Sequence, residues 1–274
     1  MKYSILMSVY QKEKAEYLIQ SIESMLSQTA PPEQFVVVKD GPLTPKLDSV
    51  IQNYAEKNPK LFTIVPLDEN VGLGRALDYG MVMCRNELIA RMDSDDISLP
   101  ERCEKELALF ADNPNLAIVG TNIDEFYDNP RDVKMSRVVP SDYEQIKKVI
   151  GRKTPFNHPT VMYKKSEVIR CGGYGKMRRK QDRDLFSRMI NMGCMAQNIN
   201  ESLLLFRSNE DNYKRRKSWT YCKSTVDVTK EMWKRGHCSV GDLLYVIVGQ
   251  TVLFVMPLPI MKWLSDHLLR EKVS

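Results

Sequence analysis

Three carboxylates within four residues are the part of this sequence with the clearest chemistry. Asp93, Asp95 and Asp96 follow the apolar run Leu88–Ala90, which is typical of a buried strand. In an open α/β sheet, ligands bind beyond the carboxyl ends of the strands. Asp93 and Asp95 would point in the same direction if the backbone stays extended. Oxygen ligands placed like this hold Mg²⁺ or Mn²⁺, usually together with substrate phosphates.

A solvated acidic turn is the alternative interpretation of the same residues. In that case Asp96 or Ser98 would cap a helix that begins at Pro100, because short polar side chains satisfy the first N–H groups of a helix and proline is favoured in its first turn. The acidic stretch alone does not decide between a metal site and a helix cap. The predicted strands, helices and loops around the acidic stretch distinguish the two interpretations.

A largely parallel sheet is predicted for the first 112 residues, because short apolar runs alternate with amphipathic segments. The predicted strands are Ile5–Val9, Phe35–Val38, Phe62–Leu67 and Glu87–Met92. Apolar residues at helical spacing predict helices over Ala15–Leu26, Leu47–Tyr54, Leu73–Cys84 and Pro100–Ala111. Strands that alternate with helices of this length are typical of a doubly wound α/β fold.

The pattern loosens after residue 112. Strands are predicted over Leu116–Thr121 and Thr160–Tyr163, and helices over Ser141–Ile150, Leu185–Ile190 and Ser218–Gly236. Ser141 is predicted to cap the first of these helices through a Ser-x-x-Glu capping box. We divide the chain into a nucleotide-binding half (residues 1–112), a half that receives the second substrate (residues 113–210) and a helical C-terminal extension (residues 211–274).

Composition and charge restrict the class of protein. With 43% hydrophobic and 27% charged residues, the chain of 274 residues has the makeup of a soluble protein with a substantial core. Its 40 basic residues barely exceed its 35 acidic ones and are not interleaved with aromatic residues, so no nucleic acid is expected as a partner. The six scattered cysteines form no zinc or redox motif, and no signal peptide precedes the first strand, which predicts a reduced, cytoplasmic setting.

The C-terminal extension contains an uncharged run from Leu243 to Met261. Spanning a bilayer takes about 20 apolar residues, and here Gly249, Pro257 and Pro259 interrupt the run. Two interpretations stay open: a segment that lies in the interface of the cell membrane, and a pair of helices packed on the core. Basic residues that could meet anionic lipid flank the run, namely Lys234, Arg235, Lys262, Arg270 and Lys272.

The loops after the other predicted strands carry residues suited to a nucleotide. Ser8 and Tyr10 follow the first strand, Asp40 follows the second, and the segment Asn70–Arg75 follows the third. An aromatic ring can stack on a base, and a carboxylate accepts a hydrogen bond from the N–H of a pyrimidine. The two glycines of the third segment would let an anion approach backbone N–H groups, with Arg75 as a forked donor. Parallel strands end at one edge, so these loops and the carboxylates are expected to form one site.

Five motifs follow one another along the chain: Ser4–Tyr10, Ser24–Thr29, Val38–Pro42, Asn70–Leu77 and Ala90–Asp96. In this order and spacing they resemble the motifs of the family 2 glycosyltransferases, in particular the branch that builds bacterial capsules, exopolysaccharides and O-antigens. The resemblance covers roughly residues 4 to 207. It implies the GT-A fold, a nucleotide-diphosphate sugar donor, a divalent metal ion (Mn²⁺ or Mg²⁺) and inversion at the anomeric carbon.

The resemblance also implies roles for single residues. The nucleotide-sugar site is matched by Ser8, Tyr10, Asp40, Arg75 and Asp93, with uridine as the expected base. Asp95 matches the metal ligand of the family, Asp93 is the second expected ligand, and Asp96 could share that role. These assignments agree with the chemistry of the residues, since a cation that bridges both phosphates neutralises charge on the departing diphosphate.

An inverting transfer needs a base that takes the proton of the acceptor hydroxyl. The family places an acidic pair for this purpose at the start of a helix in the acceptor half, and the matching segment here is Lys180–Leu185. Asp182 takes the position of the base, whereas Gln181 stands in place of the first acidic residue. Two alternatives stay open, that Asp182 caps its helix and that Asp184 is the base.

His158 lies in the segment Phe156–Thr160, which also matches this branch of the family. We assign it an active-site role, in which it hydrogen-bonds to the diphosphate or an acceptor hydroxyl or binds the metal. A purely structural role is the alternative. The neighbouring segment Gly172–Tyr174 is expected to form the floor of the acceptor site, and a plain turn is the alternative there.

A metal-dependent inverting glycosyltransferase is therefore predicted, which moves a hexose from a UDP-sugar to a hydroxyl of a lipid-linked saccharide at the cytoplasmic face of the membrane. Two other classes are considered. An Asp-x-Asp-Asp motif after an apolar strand also occurs in phosphohydrolases that form an aspartyl-phosphate, although those carry it after their first strand. Gln181 and the uncharged C-terminal run are also compatible with a non-catalytic, membrane-docked scaffold that binds sugar nucleotides.

Overall fold

The computed structural model describes residues 1–208, 217–257 and 259–260. Nine strands form one sheet: β1 (Tyr3–Val9), β2 (Gln34–Lys39), β3 (Phe62–Pro66), β4 (Leu88–Met92), β5 (Ile97–Ser98), β6 (Leu116–Phe126), β7 (Val133–Arg137), β8 (Met162–Lys164) and β9 (Met195–Arg207). The helices are α1 (Ala15–Leu26), α2 (Pro45–Lys57), α3 (Leu73–Met83), α4 (Arg102–Asp112), α5 (Tyr143–Val149), α6 (Lys165–Arg170), α7 (Gln181–Asn191), α8 (Trp219–Lys234) and α9 (Val240–Val255). A short 3-10 helix covers His158–Thr160.

The sheet is parallel in its first half and mixed in its second. Its strand order is β3-β2-β1-β4-β8-β6-β9-β5, with β7 paired to β6. The strands from β3 to β4 are mutually parallel, whereas β8 is antiparallel to both β4 and β6. The predicted α/β sheet with flanking helices is confirmed, and its largely parallel character applies to the first half.

Both faces of the parallel half are covered by helices. Along β1, Ile5, Met7 and Val9 pack on one face with residues of α1 and α4, while Leu6 packs on the other face with residues of α3. All four side chains are fully buried. Strands buried on both faces read as continuous apolar runs, which is why they could be recognised in the sequence. This double cover holds the strand ends in place at the edge from which the loops leave.

The helix predicted after the carboxylates begins later than expected. Residues Ile97–Ser98 form β5, which pairs with Leu204 and Leu205 of β9, and α4 follows with Glu101 at its N-cap. Neither Asp96 nor Ser98 caps this helix, so the helix-cap interpretation of the acidic stretch is wrong.

The N-cap predicted for α5 also differs from the observed one, by one residue. Asp142 occupies the N-cap, and its side chain accepts a hydrogen bond from the N–H of Gln145. The prediction that Ser141 fills this position is therefore wrong. Both residue types are good caps, so their order in the sequence does not distinguish them.

The C-terminal extension forms two helices of different character. In α8, which Ser218 caps, one face is buried, whereas in α9 the buried residue is Val246. The apolar residues of α9 that stand exposed are Val240, Leu244, Tyr245, Ile247, Val248, Val252, Phe254 and Val255. Burial on the core therefore describes α8, whereas α9 meets the preceding domain at Arg152, which pairs with Asp242 and lies over the ring of Tyr245. No helix within the described residues has the length and apolar character needed to cross a bilayer. The flanking Lys262, Arg270 and Lys272 lie outside the described residues.

Candidate active site

The loops that were expected to converge do lie at one edge of the sheet. The register pairs Val9 of β1 with Lys39 of β2, and Met7 of β1 with Met92 of β4. Because these strands are parallel, the loops after them leave from the same side. The loop after β3 joins them, since Lys39 is paired with Pro66. The fold thus brings the segments that begin near residues 10, 40, 70 and 93 to one edge.

Three carboxylates cluster where β4 ends. One oxygen from each of Asp93, Asp95 and Asp96 lies within 4.8 Å of the others. Asp96 is fully buried; its Oδ1 accepts a hydrogen bond of 2.9 Å from the backbone N–H of Arg207. Its Oδ2 is buried without a hydrogen-bond partner among the described residues. A set of hard oxygen donors that includes an unpaired buried oxygen fits a divalent cation such as Mg²⁺ or Mn²⁺.

The electrostatics of the cluster also favour a cation. Burial raises the pKa of Asp95 to about 7, and the charges of Asp93 and Glu13 add to this rise. Burial also raises the pKa of Asp96, with further contributions from Asp95 and Asp93. Ionisation of all of these carboxylates has a high free-energy cost unless a positive charge lies between them, because like charges this close together repel one another. A bound cation would favour the ionised forms.

A buried arginine lies beside the cluster. Arg91 is 1% exposed and forms an ion pair with the carboxylate of Asp93. Its Nε and Nη1 have no hydrogen-bond partner among the described residues. Alternation along β4 places Arg91 and Asp93 on the same face of the sheet. That alternation could have identified Arg91 from the sequence, where we assigned it no role.

Arg207, at the end of β9, holds the acidic loop from the other side. Its Nε donates to the backbone oxygen of Asp95 at 2.9 Å, and its guanidinium lies 3.8 Å from the ring centroid of Tyr17. Glu13 is a further neighbour, because its Oε2 accepts a 2.5 Å hydrogen bond from Ser94. Sequence reasoning identified neither Arg207 nor Glu13, since both are far from the acidic motif along the chain.

Asp40 is tied to the loop after β3. Its Oδ1 accepts from the N–H of Val71 at 2.7 Å, and its Oδ2 accepts from the side chain of Asn70 at 2.9 Å. The residue is 4% exposed. Each carboxylate oxygen has a second lone pair, so Asp40 can still accept from a ligand while it holds this loop.

The remaining residues of the predicted nucleotide site differ in exposure. Ser8 is partly buried near the end of β1, Tyr10 is 44% exposed in the loop that follows, and Arg75 is exposed in the first turn of α3. Gly74 packs against the acceptor half, because a Cβ there would lie 2.9 Å from Cγ of Gln181. Gly74 therefore allows a close contact between helices, a purpose other than the anion approach that we expected.

Asp182 lies in the first turn of α7 and is partly exposed. The N-cap of this helix is Lys180, so the alternative in which Asp182 caps it is wrong. Its carboxylate makes no hydrogen bond or ion pair with other residues in the described part of the chain. Burial raises the pKa of Tyr174, and the charge of Asp182 contributes to that rise, so the two side chains are neighbours.

Asp184 is engaged in two ion pairs. Its Oδ2 accepts from Nε of Arg188 at 3.0 Å, and its Oδ1 accepts from Nη2 of Arg235 at 2.6 Å. The side chain is 8% exposed. Both oxygens of this carboxylate are engaged by guanidinium groups and are not available to an acceptor hydroxyl, and this favours Asp182 over Asp184 as the base.

His158 belongs to an aromatic cluster beneath this region. Its Nε2 lies 2.8 Å from the hydroxyl of Tyr174, and its ring meets Phe186 edge to face. Burial lowers the pKa of His158, and the charge of Arg91 lowers it further, so the ring is neutral at pH 7. His158 is not a member of the group of carboxylates that could hold a metal. Its contact with Tyr174, from the predicted acceptor floor, is the structural link between the two segments.

Carboxylates clustered beyond the carboxyl ends of the strands of an α/β sheet are typical of nucleotide-dependent enzymes. The family model described as "Glycosyl transferase family 2" matches residues 4–186. The chain therefore belongs to glycosyltransferase family 2 and is a glycosyltransferase. This assignment excludes the phosphohydrolase that we considered as an alternative.

Several curated bacterial relatives are similar over nearly their whole length. The amylovoran biosynthesis glycosyltransferase AmsE of Erwinia amylovora is 34% identical over 266 residues, which make up 96% of this chain and 98% of the relative. A UDP-Gal:alpha-D-GlcNAc-diphosphoundecaprenol beta-1,3-galactosyltransferase of Escherichia coli is 34% identical over 259 residues, 94% of this chain and 92% of the relative.

Solved structures share the fold at lower identity. A mannosyltransferase from Pyrobaculum calidifontis, solved with GDP-Man and Mn²⁺, aligns with a TM-score of 0.67 and 16% identity over 96% of this chain and 78% of its own. An S. aureus TarS fragment with UDP-GlcNAc aligns with a TM-score of 0.62 and 14% identity, covering 97% of this chain and 72% of the fragment. The GT-A fold predicted from the motifs is thus confirmed.

Proposed function

We propose that the protein is a metal-dependent, inverting glycosyltransferase of surface polysaccharide synthesis. It would move a hexose from a nucleotide-diphosphate sugar, with uridine as the favoured base, to a hydroxyl of a lipid-linked saccharide. In this proposal residues 1–112 bind the donor, residues 113–210 bind the acceptor, and residues 211–274 form the extension. The names of the bacterial relatives, which refer to amylovoran synthesis and to a diphosphoundecaprenol acceptor, support it.

The observation that carries the proposal is that the chain has both a cluster of three carboxylates after β4 and a separate carboxylate, Asp182, that no other described residue binds. Asp93, Asp95 and Asp96 would hold the metal, and Asp96 Oδ2 offers a buried oxygen with no partner in the described part of the chain. A divalent cation there supplies charge stabilisation for the departing diphosphate. A solved neighbour with bound Mn²⁺ is consistent with this.

Asp182 would act as the base. In the transfer, the acceptor oxygen bonds to the anomeric carbon while the bond from that carbon to the diphosphate oxygen breaks. The hydroxyl proton passes to the carboxylate of Asp182, which no other described residue binds. His158 and Tyr174 would orient the acceptor or the diphosphate through the Nε2–hydroxyl pair. In this way the acceptor half contributes the proton acceptor and the floor.

The donor would bind along the loops after β1, β2 and β3. Tyr10 offers an exposed ring for stacking, Asp40 a carboxylate for the base, and Arg75 an exposed guanidinium. Ser8, which is partly buried, lines the same edge. A relative named for UDP-Gal and a neighbour solved with UDP-GlcNAc support a UDP-sugar, while a neighbour with GDP-Man is the reason to include guanosine donors in a test.

A direct test measures release of the nucleoside diphosphate. UDP-glucose, UDP-galactose, their N-acetylated forms and GDP-mannose are incubated with Mn²⁺, with and without a GlcNAc-diphospho-lipid acceptor. We expect acceptor-dependent UDP release that EDTA abolishes, and no release by Asp95→Ala. Full, EDTA-sensitive turnover by Asp95→Ala would show that the metal assignment is wrong. Binding of nucleotide sugars without turnover under any condition would instead favour the non-catalytic scaffold.

The extension would dock the enzyme on the cytoplasmic face of the membrane. Leu244 and Val248 of α9 are 56% and 61% exposed, and Trp219 of α8, which packs on Phe254, is 63% exposed. Exposed aliphatic side chains next to tryptophan suit the boundary between headgroups and acyl chains. A lipid-linked acceptor would be reached from this position.

Liposome flotation tests the docking. The wild type is expected to float with vesicles that contain anionic phosphatidylglycerol, and Leu244→Glu/Val248→Glu is expected to stay in the dense fraction. Val82→Glu, at a position 71% exposed on α3, is the matched control and should still float. Equal flotation of all three proteins would contradict a role of α9. Failure of the wild type to float would contradict membrane docking itself.

A further inference from the structure

We propose that helix α8 holds the turn in front of α7 and thereby positions Asp182, with Lys180 and Tyr221 as the positioning residues. The inference rests on the proposed role of Asp182 as the base. It gives the C-terminal extension a function inside the active site, separate from any contact with lipid. Three features carry it: the backbone of Lys180, its contact with Tyr221, and the packing of Gln181.

The backbone of Lys180 is strained. It has a φ of 59° and is the one non-glycine residue with a positive φ in the part of the chain that the structure describes. In this left-handed conformation the Cβ of an L-residue crowds its own backbone, so lysine adopts it only where the surroundings impose it. Lys180 is the N-cap of α7, and Asp182 follows two residues later. The turn at Lys180 therefore sets the direction in which the first turn of α7, with Asp182, leaves.

The side chain of Lys180 is held by α8. Its Nζ lies 3.7 Å from the ring centroid of Tyr221, a cation–π contact. Tyr221 lies in the first turn of α8, where its N–H donates to the side chain of the capping Ser218. At the other end of α8, Arg235 forms the ion pair with Asp184. Helix α8 thus contacts the start of α7 at two places, on either side of Asp182 in the sequence.

The donor half restrains the same turn from the opposite side. Gln181 is buried at 7% exposure and packs against Gly74, whose missing side chain leaves just enough room. A shift of Gln181 toward α3 would bring it against the backbone of Gly74, and a shift away is limited by the contact of Lys180 with Tyr221. The first turn of α7 is therefore fixed between α3 and α8. The carboxylate of Asp182, which has no partner of its own in the described part of the chain, takes its position from this arrangement.

Turnover separates a positioning role from a purely structural one. We measure kcat and the donor KM with the UDP-hexose of highest turnover and the GlcNAc-diphospho-lipid acceptor, for the full chain. Tyr221→Leu keeps an apolar side chain without a ring face, and Lys180→Met keeps the aliphatic stem without the charge. Each is expected to lower kcat about tenfold while the donor KM stays within about twofold, because a misplaced base affects the transition state and not donor binding. Lys180→Arg, which keeps a cation over the ring, is the matched control and should stay within about twofold of the wild type.

Rescue by glycine provides the deciding measurement. Glycine adopts a φ of 59° without strain, so Lys180→Gly in the Tyr221→Leu background should restore kcat to within about threefold of the wild type. A purely structural role of Tyr221 would not respond to this change. If Tyr221→Leu and Lys180→Met both turn over like the wild type, or if glycine fails to rescue, the positioning role is overturned. Asp182→Asn is assayed in parallel: if it is fully active, the proposed base is wrong, which is a separate outcome from failure of the positioning role.

Discussion

The acidic loop after β4 and the carboxylate of Asp182 at the start of α7 are held in opposite ways. Asp93 is paired with buried Arg91, and its backbone oxygen accepts a 2.7 Å hydrogen bond from Ser21. Arg207 donates to the backbone oxygen of Asp95 and to the carboxylate of Asp96. Asp182, by contrast, has no bonding partner within the described residues. The acidic loop is thus fixed by bonds to Arg91, Ser21 and Arg207, whereas the position of Asp182 is set by the backbone of its helix.

This difference separates stability from chemistry in the two regions. In the acidic loop the arginine partners are buried, so a substitution there is expected to affect folding together with the proposed metal binding. At the start of α7 the proposed base can be neutralised without loss of a bond. Asp184, two residues further along the same helix, belongs to the first kind, because it has two arginine partners. Substitutions can therefore test the contrast directly.

Asp182→Asn is expected to have the largest effect on activity. Loss of a general base costs about 10²- to 10⁴-fold in rate, while the amide keeps the shape of the side chain. Because no described residue binds the carboxylate, the melting temperature and the affinity for UDP should stay close to those of the wild type. Steady-state kinetics, calorimetry with UDP and thermal unfolding measure the three quantities. A fall in stability as large as the fall in rate would contradict the contrast between the two regions.

Arg91→Met should have the largest effect on stability. Removal of one partner of a fully buried ion pair typically costs about 3–5 kcal/mol, and we expect a smaller loss here because the side chain of Asp93 is 29% exposed. The variant also leaves Asp93, Asp95 and Asp96 without their nearest buried cation. We expect a lower free energy of unfolding in urea and a smaller deficit when Mn²⁺ is present, since a bound cation replaces part of the lost charge. A deficit that Mn²⁺ leaves unchanged would show that Arg91 acts apart from the metal site.

Asp184→Asn is expected to lie between these two variants. The amide cannot form ion pairs with Arg188 and Arg235, whose side chains are 14% and 32% exposed, so we expect a loss of about 1 kcal/mol. Activity should fall less than in Asp182→Asn, because the proposed base is intact. Comparison of urea unfolding and kcat for the two variants checks this. A larger loss of kcat in Asp184→Asn would transfer the role of base to Asp184.

Glu106→Gln should have the smallest effect on activity, and its effect on the free energy of unfolding should depend on pH. Glu106 of α4 is fully buried, both of its oxygens lack a hydrogen-bond partner among the described residues, and burial raises its pKa to about 8. This folded-state pKa lies above the unfolded value, so the folded protein favours the protonated form of Glu106. The contribution of that form to stability is fully present below about pH 4.5 and is lost as the pH rises to about 8. Glutamine carries no charge, so the variant should gain about 2 kcal/mol relative to the wild type between about pH 6 and about pH 8. Urea unfolding at the two pH values measures this, and parallel pH curves would contradict it.

The parallel half could be predicted from the sequence because local pattern and final structure agree there. Runs such as Phe35–Val38 are buried on both faces and so are continuously apolar. Parallel strands end at one edge, which made the convergence of Asp40 with the acidic stretch predictable. The same regularity explains why motifs in this half were sufficient to identify the family.

Features that depend on distant pairing could not be predicted. The two-residue strand β5 exists because Ile97 and Ser98 pair with Leu205 and Leu204, more than 100 residues away. Arg207 holds a loop 112 residues earlier in the chain, and no local pattern indicates that contact. The left-handed turn at Lys180 is imposed by tertiary contacts against the preference of lysine, so it has no signature in the sequence. Each of these features depends on contacts between segments that lie far apart in the sequence.

The hydrogen bonds of Arg207 restrict how such chains can be recombined. The acidic loop belongs to the first half of the sequence, but the arginine that orders it is supplied at the far end of the second. A chimaera that joins residues 1–112 to the second half of a relative will keep an ordered loop only if that relative supplies an arginine at the same place. The two halves are therefore exchanged as a matched pair. If the second half binds the acceptor, as proposed, new acceptor specificity is expected from substitutions within it that spare the end of β9.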